Sequence, residues 1–93
     1  MILSRPKKFR RVCSFPETLE FFTTGETMGE PVILTVDEYE TIRLVDKEKL
    51  SQEDCGIQLG VGRTTAQKIY ETARRKIADA LVLGRSLKIE GGD

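Results

Sequence analysis

Apolar residues recur along this chain with two different periods, and the places where the period changes mark its elements. Ala66, Ile69, Tyr70, Ala73, Ile77, Ala80 and Leu81 return at steps of three and four, the spacing that lines one face of an α-helix. Thr64, Lys68, Glu71 and Arg75 fall on the opposite side. Gly84, directly after Leu83, suits the left-handed residue that ends many helices. A long third helix is therefore predicted over about 63–83. Beyond it Leu87 and Ile89 alternate with polar neighbours, which predicts a short strand with both side chains turned inward.

Two earlier helices carry start signals. Thr35 is placed to cap the first, Glu38 completes a capping box, and Leu34 can staple onto Tyr39. This helix is predicted to reach about Asp46 with Tyr39, Ile42 and Val45 inward, although Leu44 interrupts the stripe. Ser51 repeats the arrangement for a second helix, with Asp54 at the box position and Leu50 set to staple onto Cys55. Before these helices, Val12–Phe15 forms a candidate strand ended by Pro16. Its expected partner is the Leu87–Ile89 segment, since both lie outside the helical unit and a lone strand is unstable. Residues 17–31 hold two glycines, a proline and four threonines and read as a long loop. Phe21 and Phe22 are anomalous there; they are expected to pack on the core, with a subunit interface as the alternative.

The spacing from Gln52 to Glu71 matches a helix-turn-helix, the unit that presents its second helix to the DNA major groove. Cys55, Leu59, Val61, Ala66 and Ile69 fall where two crossing helices bury apolar side chains. Gly60 stands where the first of them ends and the chain reverses, a place that favours positive φ. Gly56 stands where the helices are expected to cross. Alanine is expected to fit there and a larger side chain to push the helices apart. The fold expected is mainly α: a three-helix helix-turn-helix domain with candidate short N- and C-terminal strands. Residues 1–11 form a basic flexible arm and 12–93 a single domain, with the helix-turn-helix core at 51–83.

Charge changes the picture. The chain of 93 residues has formal net charge zero, an unpromising figure for a DNA binder until it is divided. Arg5, Lys7, Lys8, Arg10 and Arg11 give residues 1–13 a charge of +5, residues 14–54 carry −8, and residues 55–93 carry +3. The two basic segments are the arm and the segment with the presumed reading helix, and such segregation matters more for nucleic acid than the total does. No apolar run approaches a membrane span and the first residues lack the apolar core of a signal peptide, so a cytoplasmic protein is expected. There is no histidine, and Cys13 and Cys55 form no CxxC pair. Nothing recommends catalysis, a metal or a cofactor, and Cys55 reads as a small buried thiol.

In a helix-turn-helix the N-terminal half of the second helix approaches base edges. Arg63, Thr64, Gln67 and Lys68 are the candidates there: Arg63 for guanine, Gln67 for adenine, Thr64 for a thymine methyl. Thr65, Arg74 and Arg75 are assigned to phosphates, with an Arg75–Glu71 ion pair as the bland alternative. The arm residues Arg5, Lys7, Lys8, Arg10 and Arg11 are assigned to phosphates or a narrow minor groove.

The order of these features is also familiar. A basic RPKKFRRV start, an LTVDEYETIRLVD first helix, an LGVGRTTAQKI turn and helix, and a terminal LKIEGG together resemble a prokaryotic family of small predicted DNA-binding proteins of unknown function. Its helix-turn-helix is similar to region 4 of the primary sigma factors. The resemblance spans nearly the whole chain and implies a helical DNA-binding regulator, with no ligand or operator established. This chain departs from the pattern at Phe9, where relatives commonly carry cysteine, and at Gly62, where they carry serine. One reading is a transcriptional regulator, a homodimer because one short helix discriminates poorly. The alternative is a region-4-like module whose acidic middle contacts RNA polymerase or another regulator. An enzyme accessory or metal-delivery role lacks ligand clusters.

Overall fold

The computed structural model describes residues 16–25 and 29–91. The protein is mainly α, with a small sheet on one side. In chain order the elements are β1 (Glu20–Phe21), β2 (Val32–Leu34), α1 (Val36–Thr41) continued by a π-helical segment (Ile42–Lys47), α2 (Gln52–Leu59), α3 (Arg63–Leu83) and β3 (Leu87–Ile89). The expected helix starts are all present. Thr35 accepts from the Glu38 N–H while the Glu38 carboxylate accepts from the Thr35 N–H, a complete capping box. Ser51 Oγ accepts from the Asp54 N–H at 3.0 Å.

The first helix differs from expectation in its second half. The Glu48 N–H donates to the Arg43 carbonyl at 2.8 Å, one residue wider than an α-helical bond. Widening the coil changes the angle between successive side chains, and Leu44 turns into a cluster with Cys55, Leu59 and Ala66. Tyr39 and Ile42 pack on a second cluster of Leu34, Ala73 and Ile89. Leu44 thus belongs to a second packing face.

The sheet also departs from the sequence reading. The Val12–Phe15 strand lies outside the described residues, and β3 is the central strand, antiparallel to β1 and parallel to β2. Leu34 opposes Ile89 and Phe21 opposes Leu87. β1 has only two residues and the Val32–Leu34 run of β2 is apolar throughout, so neither shows the alternation that marked β3.

On α3, Ala66, Ala73 and Ala80, seven residues apart, are buried. Small residues on that line let the first helix, α2 and the sheet approach closely. Leu81, placed on this stripe by spacing, is instead 80% exposed, because it stands about 100° round the helix from Ala80. Phe21 and Phe22 correct a second expectation: they are 51% and 75% exposed rather than packed on the core. Neighbours along an extended chain point to opposite sides, and β1 is an edge strand.

Four polar residues are buried on the first helix: Asp37, Glu38, Glu40 and Thr41. The fully buried Glu40 accepts two hydrogen bonds from Arg43, at 3.0 and 2.8 Å. Glu38 receives Lys76 of α3 at 2.7 Å. Buried carboxylates persist only when paired in this way.

Candidate nucleic-acid interface

The turn between α2 and α3 is set by backbone contacts. Gly60 takes φ 76°, ending α2 in the left-handed region, and the Val61 N–H donates to the Gly56 carbonyl at 2.9 Å. A Cβ added at Gly56 would stand 2.8 Å from the Val61 carbonyl oxygen and 3.2 Å from that of Gly62. Gly56 is therefore needed, but its close neighbour is the backbone of the turn rather than a side chain of α3. Alanine does not fit without moving that turn, which corrects the expectation of tolerance at this position.

The turn delivers α3 with Ala66 fully buried against the Leu44–Cys55–Leu59 cluster. Burying Ala66 dictates what faces out. Arg63, Thr64, Thr65, Gln67 and Lys68 are all exposed, and Thr64, Gln67, Lys68, Glu71 and Arg75 share the outer side by their three- and four-residue spacing. Gly62 caps α3 with extended backbone and no side-chain hydrogen bond, so the first-turn N–H groups are open to an anion.

The assigned residues differ in how free they are. Among the described residues Arg63, Lys68 and Arg75 make no ion pair, and the alternative Arg75–Glu71 pair is absent. Glu71 instead accepts from Gln67 Nε2 at 3.2 Å, which orients the Gln67 amide along the helix. Arg74 is engaged: its Nε lies 3.4 Å from Asp46 and its guanidinium 5.6 Å from the Tyr70 ring centroid. Tyr70 Oη donates to Asp46 at 2.7 Å. Burial and this hydrogen bond push the Tyr70 hydroxyl pKa above its ordinary value. The Asp46–Tyr70–Arg74 contact fastens α3 to the end of the π-helical segment, and local spacing held no sign of it because Tyr70 and Asp46 are 24 residues apart. The arm residues Arg5, Lys7, Lys8, Arg10 and Arg11 lie outside the described residues.

Other chemistry is sparse. Cys55 is a free, buried thiol, its pKa raised by burial and by the neighbouring Glu40 charge, so it is a poor nucleophile and ligand. No group of three or more metal-binding side chains occurs among the described residues. No described helix is long and apolar enough to cross a membrane.

The family model described as "Protein of unknown function DUF134" matches residues 1–93. The chain belongs to this family. It is 48% identical to a UPF0251 protein of Desulfitobacterium hafniense over 93 residues, covering 98% of this chain and 74% of that protein. A UPF0251 protein of Clostridium tetani is 45% identical, covering 98% of this chain and 63% of its own length. One from Caldanaerobacter subterraneus is 47% identical, at 98% and 79%. No solved structure matches the chain.

Proposed function

We propose that this DUF134 protein is a sequence-specific DNA-binding transcriptional regulator. In this reading α2, the Gly60 turn and α3 work as a helix-turn-helix of the kind found in region 4 of primary sigma factors. The observation that carries it is the N-terminal third of α3, where Arg63, Thr64, Gln67 and Lys68 stand exposed around a buried Ala66. That end enters the major groove: Arg63 and Gln67 supply paired hydrogen bonds to base edges, Thr64 and Lys68 flank them, and Thr65 and Arg75 contact phosphates. Arg74, held by Asp46, contributes its charge from a fixed position. The basic arm adds affinity for any sequence by neutralising phosphates. The protein works in the cytoplasm on duplex DNA, without catalytic chemistry or a cofactor.

The reading as a contact module for RNA polymerase draws on the acidic middle segment. Asp37, Glu38 and Glu40 of the first helix are buried and present no charge to a partner, which leaves the exposed Glu17, Glu20, Glu30, Glu48, Glu53 and Asp54 to carry this reading.

Selection of bound fragments from genomic DNA by the purified protein tests the proposal. Arg63→Ala and Gln67→Ala are each expected to weaken binding to a selected fragment by about 1–3 kcal/mol while leaving non-specific binding nearly unchanged. No enrichment, or parental binding by both variants, refutes the assigned face.

A further inference from the structure

The end of α3 remote from the turn borders an open groove of about 330 Å³. Phe21 of β1 and the adjoining Phe22, Ile77 and Leu81 of α3, and Leu87 of β3 give it apolar walls. Small-molecule sites commonly take this form, a concave surface of about 300–1,000 Å³ that is mostly apolar and carries few polar groups. Among the described residues, Arg85 is the one charged residue that lines the groove, and no acidic side chain does.

Arg85 is held in place yet left unpaired. Its backbone N–H donates to the Ala80 carbonyl at 2.9 Å, where α3 ends. Gly29 closes on the guanidinium: a Cβ added there would stand 3.2 Å from both Nε and Nη2. Gly29 also takes φ 99°, a conformation that suits glycine. The Nε atom is buried without a hydrogen-bond partner, and among the described residues the side chain makes no ion pair. A cation taken partly out of water is unfavourable unless an anion meets it. The planar fork of N–H donors on an arginine matches a carboxylate.

We infer that this groove binds a small amphipathic monocarboxylate, of the class of arylalkanoic or medium-chain fatty acids. The carboxylate pairs with Arg85, and the hydrocarbon lies along Phe21, Phe22 and Leu81. Charge selects the occupant: a neutral apolar molecule would leave Arg85 unpaired, and a bare inorganic anion would leave the apolar walls in water. Ile77 and Leu81 belong to α3, so the ligand touches the helix whose other end is proposed to read DNA. The binding itself does not depend on that reading.

Titration of the isotope-labelled full chain with phenylacetate, phenethyl alcohol and acetate, followed by NMR chemical shifts without DNA, tests the inference. Phenylacetate is expected to shift Phe22, Leu81 and Leu87 saturably with Kd of about 1 mM or tighter. The alcohol and acetate, each lacking one half of the ligand, bind at least about 10-fold more weakly. Arg85→Met brings phenylacetate down to the level of the alcohol and leaves the alcohol unchanged. Leu81→Glu, at a position 80% exposed, adds a carboxylate beside the groove and weakens the acid more than the alcohol. Absence of saturable shifts at these residues up to about 20 mM phenylacetate overturns the inference, as when a second copy or another part of the chain covers the groove. Equal affinity for acid and alcohol, acetate binding as tightly as phenylacetate, or parental binding by both variants overturns it too.

Discussion

Replacing Gly56 by alanine sets two opposing effects against each other, and the geometry of the turn decides which prevails. Alanine is the better helix former by about 1 kcal/mol in a helix interior. Against this, the new Cβ would lie 2.8 Å from the Val61 carbonyl oxygen, with the Gly62 carbonyl oxygen and carbon at 3.2 and 3.3 Å. All three atoms belong to the backbone, so no side chain can swing aside. The same turn is held from below by the Val61 N–H bond to the Gly56 carbonyl, and relief requires lifting the turn off α2. Overpacking of this kind costs about 1–3 kcal/mol, which outweighs the propensity gain. The net expectation is a loss of about 1 kcal/mol, or a fall of roughly 4–8 °C in Tm for a domain of this size. If the protein binds DNA as proposed, its affinity is expected to fall as well, since α3 is aimed through that turn. Thermal melts of the parent, Gly56→Ala and Gly62→Ala provide the comparison, because a Cβ at Gly62 meets nothing within 4 Å. A Gly56→Ala protein that melts at or above the parent temperature refutes the close approach.

Three other perturbations probe the rest of the molecule. Deleting residues 1–11 should preserve the helical circular dichroism while making log K against log salt shallower, by up to about 0.9 for each phosphate the arm neutralises; an unchanged slope removes the arm from the interface. Arg43→Met leaves the buried Glu40 carboxylate without its two arginine hydrogen bonds and should cost about 3–5 kcal/mol in urea unfolding, and a loss below 1 kcal/mol refutes the pairing. Because burial and Glu40 raise the folded Cys55 pKa above the ordinary thiol value of 9.0, its neutral form is favoured in the folded state. Its contribution to stability is complete below that value and is lost as pH rises through the folded pKa. Peptide mapping after iodoacetamide treatment at pH 8 should find Cys55 unmodified until the chain is unfolded, and ready labelling of the native protein refutes its burial.

Much of the helical framework was legible along the chain because its signals are local. A Thr or Ser cap with an acid three residues on, and a glycine just past an apolar stripe, act within one or two turns, and Thr35, Ser51, Gly60 and Gly84 all stand where spacing put them. The exposed face at the start of α3 follows from the same period, since burying Ala66 turns Thr64, Gln67 and Lys68 outward. What stayed hidden depends on contacts between distant segments. β1 and β2 pair only with β3, which runs between them, and neither shows the polar–apolar alternation that marked β3. The π-helical turn lets Leu44 and Ile42 serve two clusters, and Asp46 meets Tyr70 and Arg74 only once α3 packs across the first helix. The close approach of Gly56 to the turn is likewise a backbone contact between non-neighbouring residues. Sequence spacing thus determined where the helices begin, where they end and which side of α3 faces out. Tertiary packing decided the sheet, the free or engaged state of each cation, and the uncovered Phe22–Leu81 face, because those properties belong to pairs of surfaces and no single segment carries them.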